Sequence, residues 1–172
     1  MAGALRGLGA IIVSDPMPAR RELALSLGAT DVIDPAGTDT VAAILTLTQG
    51  VGVDCSIDTT ARADVIRSGI MMLAPMGECA VVGAIAHGQD IAVDGGHLLS
   101  GGRRLRGVVE GDADPETFIP WLVDQYLAGH LPFDRLVRFY PLAEINEAVD
   151  ASEQGRVIKP IILMPGTPVP AL

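Results

Sequence analysis

Short apolar runs rich in β-branched residues alternate along the chain with longer stretches whose apolar residues recur at helical spacing. Residues 11–14 precede 19–27, 31–33 precede 40–48, 53–57 precede 63–73, and 78–82 close the series. Such alternation predicts βαβ units and therefore a parallel sheet in an α/β fold, because parallel strands need a helical crossover between them. The punctuation agrees. Gly28 stands just past its helix as a C-terminal capping glycine would, and Thr38 and Asp64 occupy positions where N-caps are favoured. The run Ala80-Val-Val82 is apolar on both faces, the pattern of a strand covered on both sides by helices.

After Gly83 the rhythm changes to a glycine-rich stretch (Gly88, Gly95, Gly96, Gly101, Gly102) around apolar runs at 90–93 and 104–109. A helix is predicted over 115–128, with proline near its start and Gly129 just past its end, and another over 143–153. A last strand at 159–163 is expected to complete the sheet. Residues 166–172 read as a disordered tail, since three prolines in the last nine residues prevent regular pairing. No internal repeat or linker divides the chain, so a single domain over 1–165 is expected.

The first strand, Ala10-Ile-Ile-Val-Ser-Asp15, ends in an acid. In a dinucleotide-binding fold an acid so placed holds the adenosine ribose and lies about 20 residues after a glycine-rich phosphate loop. Only fourteen residues precede Asp15 here. The expectation is a truncated Rossmann-type doubly wound parallel sheet lacking its first strand and its Gly-rich loop. In the strand order 3-2-1-4-5-6 the first strand is central. The strands at Ile11 and Val53 would then lose their shared neighbour, leaving a marginal monomer with open edges. Those edges would pair directly, swap between copies, or take a segment supplied in trans.

Composition narrows the function. With 172 residues, 49% of them hydrophobic, one sizeable core is expected. A net charge of -9 argues against nucleic acid or an anionic membrane surface as partner. The one basic cluster, Arg103, Arg104 and Arg106, reads as an exposed strand flank rather than a phosphate site. Cys55 and Cys79 lie in strand-like runs and are expected to be buried and unpaired, which fits a reduced, cytoplasmic compartment. No uncharged apolar stretch reaches the length of about 18 residues that a membrane helix needs.

Asp15 is the sharpest candidate. Its carboxylate can accept from both ribose hydroxyls and would repel a 2′-phosphate, favouring NAD over NADP; alternatively it is an ordinary helix N-cap. Gly7-Leu-Gly9 precedes a strand instead of following one and so reads as a loop and cap. His87, His97 and His130 are scattered, no metal site is expected, and no nucleophile motif is present. Val82-Gly-Ala84 lies at a strand's carboxyl end, either as a plain turn or as a place where backbone at Gly83 approaches a flat ring.

Nine ordered segments resemble the coenzyme-binding half of zinc-dependent medium-chain alcohol dehydrogenases, most nearly the benzyl or aryl-alcohol type. They are Asp15-Pro-Met-Pro-Ala-Arg-Arg-Glu-Leu-Ala, Leu27-Gly-Ala-Thr-Asp-Val-Ile-Asp34, Gly52-Val-Asp54, Leu73-Ala-Pro-Met-Gly77, Val82-Gly83, Gly107-Val-Val-Glu-Gly-Asp112, Phe118-Ile-Pro120, Asn146-Glu-Ala148 and Gly155-Arg-Val-Ile-Lys-Pro160. The resemblance implies that Asp15 and Arg20 hold the adenosine ribose and that Thr59 and Thr60 lie beside the adenosine and the nicotinamide ribose. It further implies that main-chain groups around Val82, Gly83, Ala84, Val109 and Glu110 hold the carboxamide, and that Lys159 lies near the pyrophosphate. The family oxidises alcohols to aldehydes with NAD and zinc, here an aromatic primary alcohol. Its zinc ligands and proton relay belong to a domain not represented in these segments, so no catalytic or metal residue is assigned. The chain alone is expected to be inactive and to bind NAD weakly or not at all. The family also implies a homo-oligomer with its interface in residues 90–109, and association without catalysis is the alternative role.

Overall fold

A computed structural model of the chain describes residues 1–170. The elements in chain order are α1 (Ala2–Leu5), β1 (Ile12–Ser14), α2 (Pro18–Ser26), β2 (Asp31–Ile33), α3 (Thr40–Leu47), β3 (Val53–Asp58), α4 (Ala63–Met71), β4 (Leu73–Val81), α5 (Gly95–Gly101), β5 (Arg104–Gly107), α6 (Pro115–Leu127), β6 (Val137–Pro141), α7 (Ile145–Glu153) and β7 (Lys159–Leu163). The predicted α/β alternation is present and every strand pair is parallel. The chain divides into two compact units, one of Gly9–Pro115 and one of Met1–Leu8 with the residues from Glu116 onward.

In the larger unit β1 pairs with β2, and β3, β4 and β5 form a second sheet in that order. Among the described residues no strand pairs with both β1 and β3. The two sheets are joined by apolar packing: Ile33, Ile44 and Met72 form a buried cluster against which Ile12, Val41 and Val53 rest. A second cluster, Ile66, Ile70, Leu73 and Cys79, lies between α4 and the β3-β4-β5 sheet, with Val81, Ile85 and Leu98 against it.

Among the described residues, α4 covers that face of the sheet. Ile57, on the other face, is 68% exposed, so the expectation of helices on both faces is corrected. The same asymmetry separates the cysteines. Cys79 is buried, as expected, beside Ser56, whose hydroxyl donates to the Gly69 carbonyl of α4 at 2.9 Å. Cys55 is paired in register with Glu78 and is exposed, contrary to expectation, because strand alternation turns it away from α4.

Local chemistry sets the helix ends. Gly28 follows α2 at φ 101°, a conformation open to glycine and costly for other residues. The N-cap of α3 is Asp39, whose carboxylate accepts from Ala42 N–H at 3.1 Å, and not Thr38. Asp64 is likewise not a cap. It stands in the first turn of α4 and receives the Arg62 guanidinium at 3.1 and 2.8 Å, a placement that still suits the positive end of the helix. Helix α5 was hidden by its two opening glycines, poor helix formers. Asp94 caps it by accepting from Gly96 and His97 N–H. Residues 90–93 form no strand.

The strand at 159–163 does not complete the larger sheet. It pairs with β6, from Val137↔Lys159 to Pro141↔Leu163, and α7 is the crossover. This βαβ unit closes its own core of Tyr140, Ala148, Ala151 and Val157, which is why two compact units replace the single body expected from length. Of the tail, residues 167–170 carry no helix or strand, and 171–172 lie outside the described residues.

Gly52, at φ 93°, turns the chain into β3, and a Cβ there would sit 2.5 Å from the Met72 carbonyl oxygen. Gly52→Ala is expected to cost at least about 2 kcal/mol in denaturant unfolding, through backbone overlap and an unfavourable φ together. A loss below about 0.5 kcal/mol, the usual range for an unstrained surface change, would contradict this.

Candidate functional site

Open parallel sheets bind ligands at the carboxyl ends of their strands. At the end of β3 stands Asp58, 5% exposed. Its Oδ1 accepts from the Thr60 hydroxyl at 2.7 Å and its Oδ2 from Ala61 N–H at 3.0 Å. Its main-chain oxygen accepts from Val82 and Gly83 N–H at 2.9 and 3.2 Å. One residue thus ties the loop after β3 to the loop after β4. Ala61 is held at φ 58°, and a Cβ on Gly83 would lie 2.6 Å from Ala61 N. Gly83 is therefore required by loop-on-loop packing, a reason that neither the turn nor the ring reading of the sequence supplied.

The edge continues across β5, where Val108 N–H donates to the Val81 carbonyl at 3.0 Å. Beyond it, Glu110, Gly111 and Asp112 all have positive φ in a 3₁₀ turn, and Arg106 pairs with the Asp112 carboxylate. Two apolar side chains project from this edge, Val82 at 48% and Val109 at 76% exposure. Thr59 is also exposed. Exposed valines beside rigid backbone suit contact with a flat ring.

Asp15 lies one residue past β1, its N–H donating to the Ile33 carbonyl at 3.3 Å. Its Oδ1 accepts from Met17 N–H at 2.8 Å, which shapes the turn leading to Pro18. The N-cap of α2 is Met17, without a side-chain bond, so Asp15 caps the turn ahead of the helix and not the helix itself. The other oxygen, Oδ2, has Arg20 Nη1 at 3.9 Å, and Arg20 Nε is buried with no partner. A carboxylate oxygen and a guanidinium N–H left uncommitted side by side match the acceptor and donor needs of a sugar diol.

Sequence reasoning singled out Asp15, Arg20, Thr60 and Gly83 but missed Asp58, Arg21 and Asp34. Arg21 Nη1 donates to the Asp15 carbonyl at 2.7 Å while its Nη2 lies 2.9 Å from Asp34 Oδ2. The signals were present: an acid ending each of the strands at 15, 34 and 58, and a tandem arginine. Thr60, Val82 and Gly83 are brought together around Asp58, with Ala84 next in chain, and Asp15 with Arg20 at the end of β1. Lys159 opens β7, exposed, in the other unit.

Several other chemistry-bearing groups have local structural partners. Gly7 closes α1 at φ 69°, its N–H donating to the Ala4 carbonyl at 2.9 Å, which agrees with the loop-and-cap reading. Arg104 faces Glu78 at 3.8 Å on an exposed strand flank, whereas Arg103 turns inward to the Leu73 and His97 carbonyls. Burial pushes the Cys79 thiol above its ordinary range, and the exposed Cys55 thiol is raised by partial desolvation against its strand neighbours, with the Glu78 and Asp54 carboxylates adding to it. Among the described residues no three of His, Cys, Asp or Glu converge as a metal site, and no helix is long and apolar enough to cross a membrane.

Known proteins resemble this chain in sequence and fold. A family model described as zinc-binding dehydrogenase matches residues 1–124. Geraniol dehydrogenase of Castellaniella defragrans is 44% identical over 161 residues, which cover 92% of this chain and 43% of that protein. Benzyl alcohol dehydrogenase from Acinetobacter calcoaceticus superposes with a TM-score of 0.92 at 42% identity, over 95% of this chain and 45% of that one. An alcohol dehydrogenase zinc-binding domain protein from Burkholderia ambifaria gives 0.88 at 46% identity, over 91% and 42%. The chain spans less than half the length of each.

Asp58→Ala leaves the Thr60 hydroxyl and Ala61 N–H without their buried acceptor and is expected to cost about 3 kcal/mol in urea unfolding, with Asp58→Asn costing less because one acceptor oxygen survives. Equal, small losses for the two variants would show that the bonds to Asp58 do not hold the loops.

Proposed function

The chain belongs to the family of zinc-binding dehydrogenases, as the C-terminal NAD-binding part of a zinc-dependent alcohol dehydrogenase, and on that premise we propose that it positions NAD for oxidation of a benzylic or allylic primary alcohol to the aldehyde. Benzyl alcohol and geraniol, named in two relatives, share a primary carbinol next to an unsaturated carbon, and that is the substrate class proposed. The observation that carries the cofactor assignment is the half-committed carboxylate of Asp15 at the end of β1, with the unpartnered Arg20 Nε beside it.

When bound, NAD supplies the hydride acceptor. The tasks of this chain are to bind and orient. Asp15 Oδ2 accepts from the ribose hydroxyls, Arg20 donates from the same side, and the negative charge of Asp15 disfavours a 2′-phosphate. The edge of Thr59, Thr60, Val82, Gly83 and Ala84, continued by Val109 and Glu110, offers a rigid backbone and apolar surface to the nicotinamide end. Asp58 keeps that edge rigid. No residue here is assigned to zinc, since the donors present do not converge. The setting proposed is the reducing cytoplasm, consistent with two unpaired thiols.

Self-association is a second reading favoured by a particular observation. All four residues of β5 are exposed, and β5 is the outer strand of its sheet. An open parallel edge of this kind invites pairing with a second copy.

Calorimetric titration with NAD is expected to give weak binding, with Kd on the order of 1 mM, and Asp15→Ala is expected to weaken it about tenfold through loss of a charged acceptor. Equal binding by the two proteins would contradict the assignment, and micromolar affinity would contradict its weakness. Sedimentation analysis is expected to show a dimer that Leu105→Lys, on the exposed strand, dissociates; a monomer at all concentrations would remove the second reading.

A further inference from the structure

The ribose end of the site holds four charges within two turns of chain and one strand end: Asp15, Arg20, Arg21 and Asp34. Their formal sum is zero. Their bonding is unequal, because Arg21 is fully employed and Arg20 is not. The Arg21 side chain is 15% exposed; one of its amino groups donates to the Asp15 carbonyl at 2.7 Å and the other meets Asp34 at 2.9 Å. Asp15 lies just past the last paired residues of β1 and β2, Ser14↔Ile33, and the Arg21 fork adds to its N–H bond to the Ile33 carbonyl in tying the two strand ends together.

Resting on the cofactor reading above, we infer that Asp34 is a specificity-determining residue that acts through Arg21: by occupying the Arg21 guanidinium it withholds the one well-placed cation that a ribose 2′-phosphate would need. Asp15 disfavours the phosphate by direct repulsion. Asp34 disfavours it by sequestering the counter-charge, as a positioning residue with no contact to the ligand. Guanidinium groups bind phosphate oxygens in forked geometry, and the fork of Arg21 is already filled by a carboxylate and a carbonyl. Removing the charge at Asp34 raises the local sum to +1 and leaves one arm of the fork free. Arg20 does not substitute for it, since it faces Asp15 Oδ2 at 3.9 Å and is assigned to the ribose hydroxyls on that side.

The substitution that tests this is Asp34→Asn, which keeps an acceptor oxygen for Ala36 N–H, the group that now donates to Asp34 Oδ1 at 3.0 Å. The full chain, Asp34→Asn, and the double variant Arg21→Met/Asp34→Asn are titrated with adenosine 5′-monophosphate and adenosine 2′,5′-bisphosphate at millimolar concentration, following amide shifts by NMR. The ratio of the two dissociation constants is the readout, because a general loss of structure weakens both ligands together. Asp34→Asn is expected to shift that ratio about tenfold toward the 2′-phosphate, in line with one gained charged hydrogen bond, and the double variant to return it to the starting value. Binding with an unchanged ratio overturns the inference and leaves the cofactor reading standing. Failure of every protein to bind either nucleotide overturns both. Should Asp34→Asn not fold, Asp34→Ser carries the same expectation, and unfolding of both variants would make the pair structural and overturn the inference.

Discussion

A carboxylate taken out of water must be given donors, and Asp58 is given them from two directions. Thr60 and Ala61 bond its side chain while Val82 and Gly83 bond its main-chain oxygen. An unpaired buried polar group costs about 1–3 kcal/mol, so the loops after β3 and β4 are held in one arrangement, with the left-handed Ala61 and the side-chain-free Gly83 fitted against each other. The candidate nicotinamide edge is rigid because this acid is satisfied. Strain at Ala61, and at Glu110 and Asp112 further along, is concentrated where the strand ends meet solvent, as it commonly is at functional sites.

Three acids end three strands, and burial separates their roles. Asp58 is enclosed and every oxygen is committed, so it builds. Asp34 is partly exposed and neutralises an arginine, so it restrains. Asp15 spends one oxygen on the turn toward α2 and keeps the other facing the half-employed Arg20, which is the acceptor the proposed function gives to the ribose. Residue type is the same in all three, and each stands at or one residue past a strand's carboxyl end. What differs is the number of donors that the neighbouring loop turns back onto the acid.

That difference explains what was legible in the sequence. Strand and helix alternation through residue 82 could be read because apolar periodicity and glycine stops are local signals. The placement of Asp15 just past a strand could be read because a strand end is a local feature of the pattern. Asp58 could not, since its partners at Ala61, Val82 and Gly83 include main-chain groups brought together only by folding. The exposed Cys55 was misread because alternation within β3 determines a face but not whether a helix covers it. Helix α5 escaped notice because its cap at Asp94 outweighs the low propensity of Gly95 and Gly96. β7 was placed in the wrong sheet because Val137–Pro141, its actual partner, was not recognised as a strand.

The central claim is that the strand ends of the larger unit form a cofactor edge with Asp15 at its ribose end. Titration of the isotope-labelled full chain with NAD, followed residue by residue in amide NMR spectra, tests it most directly. The account predicts that the largest shifts fall in two groups, Asp15 to Arg21 and Thr59 to Ala61 with Gly83. Shifts confined to other parts of the chain, or none at NAD concentrations well into the millimolar range, would contradict it.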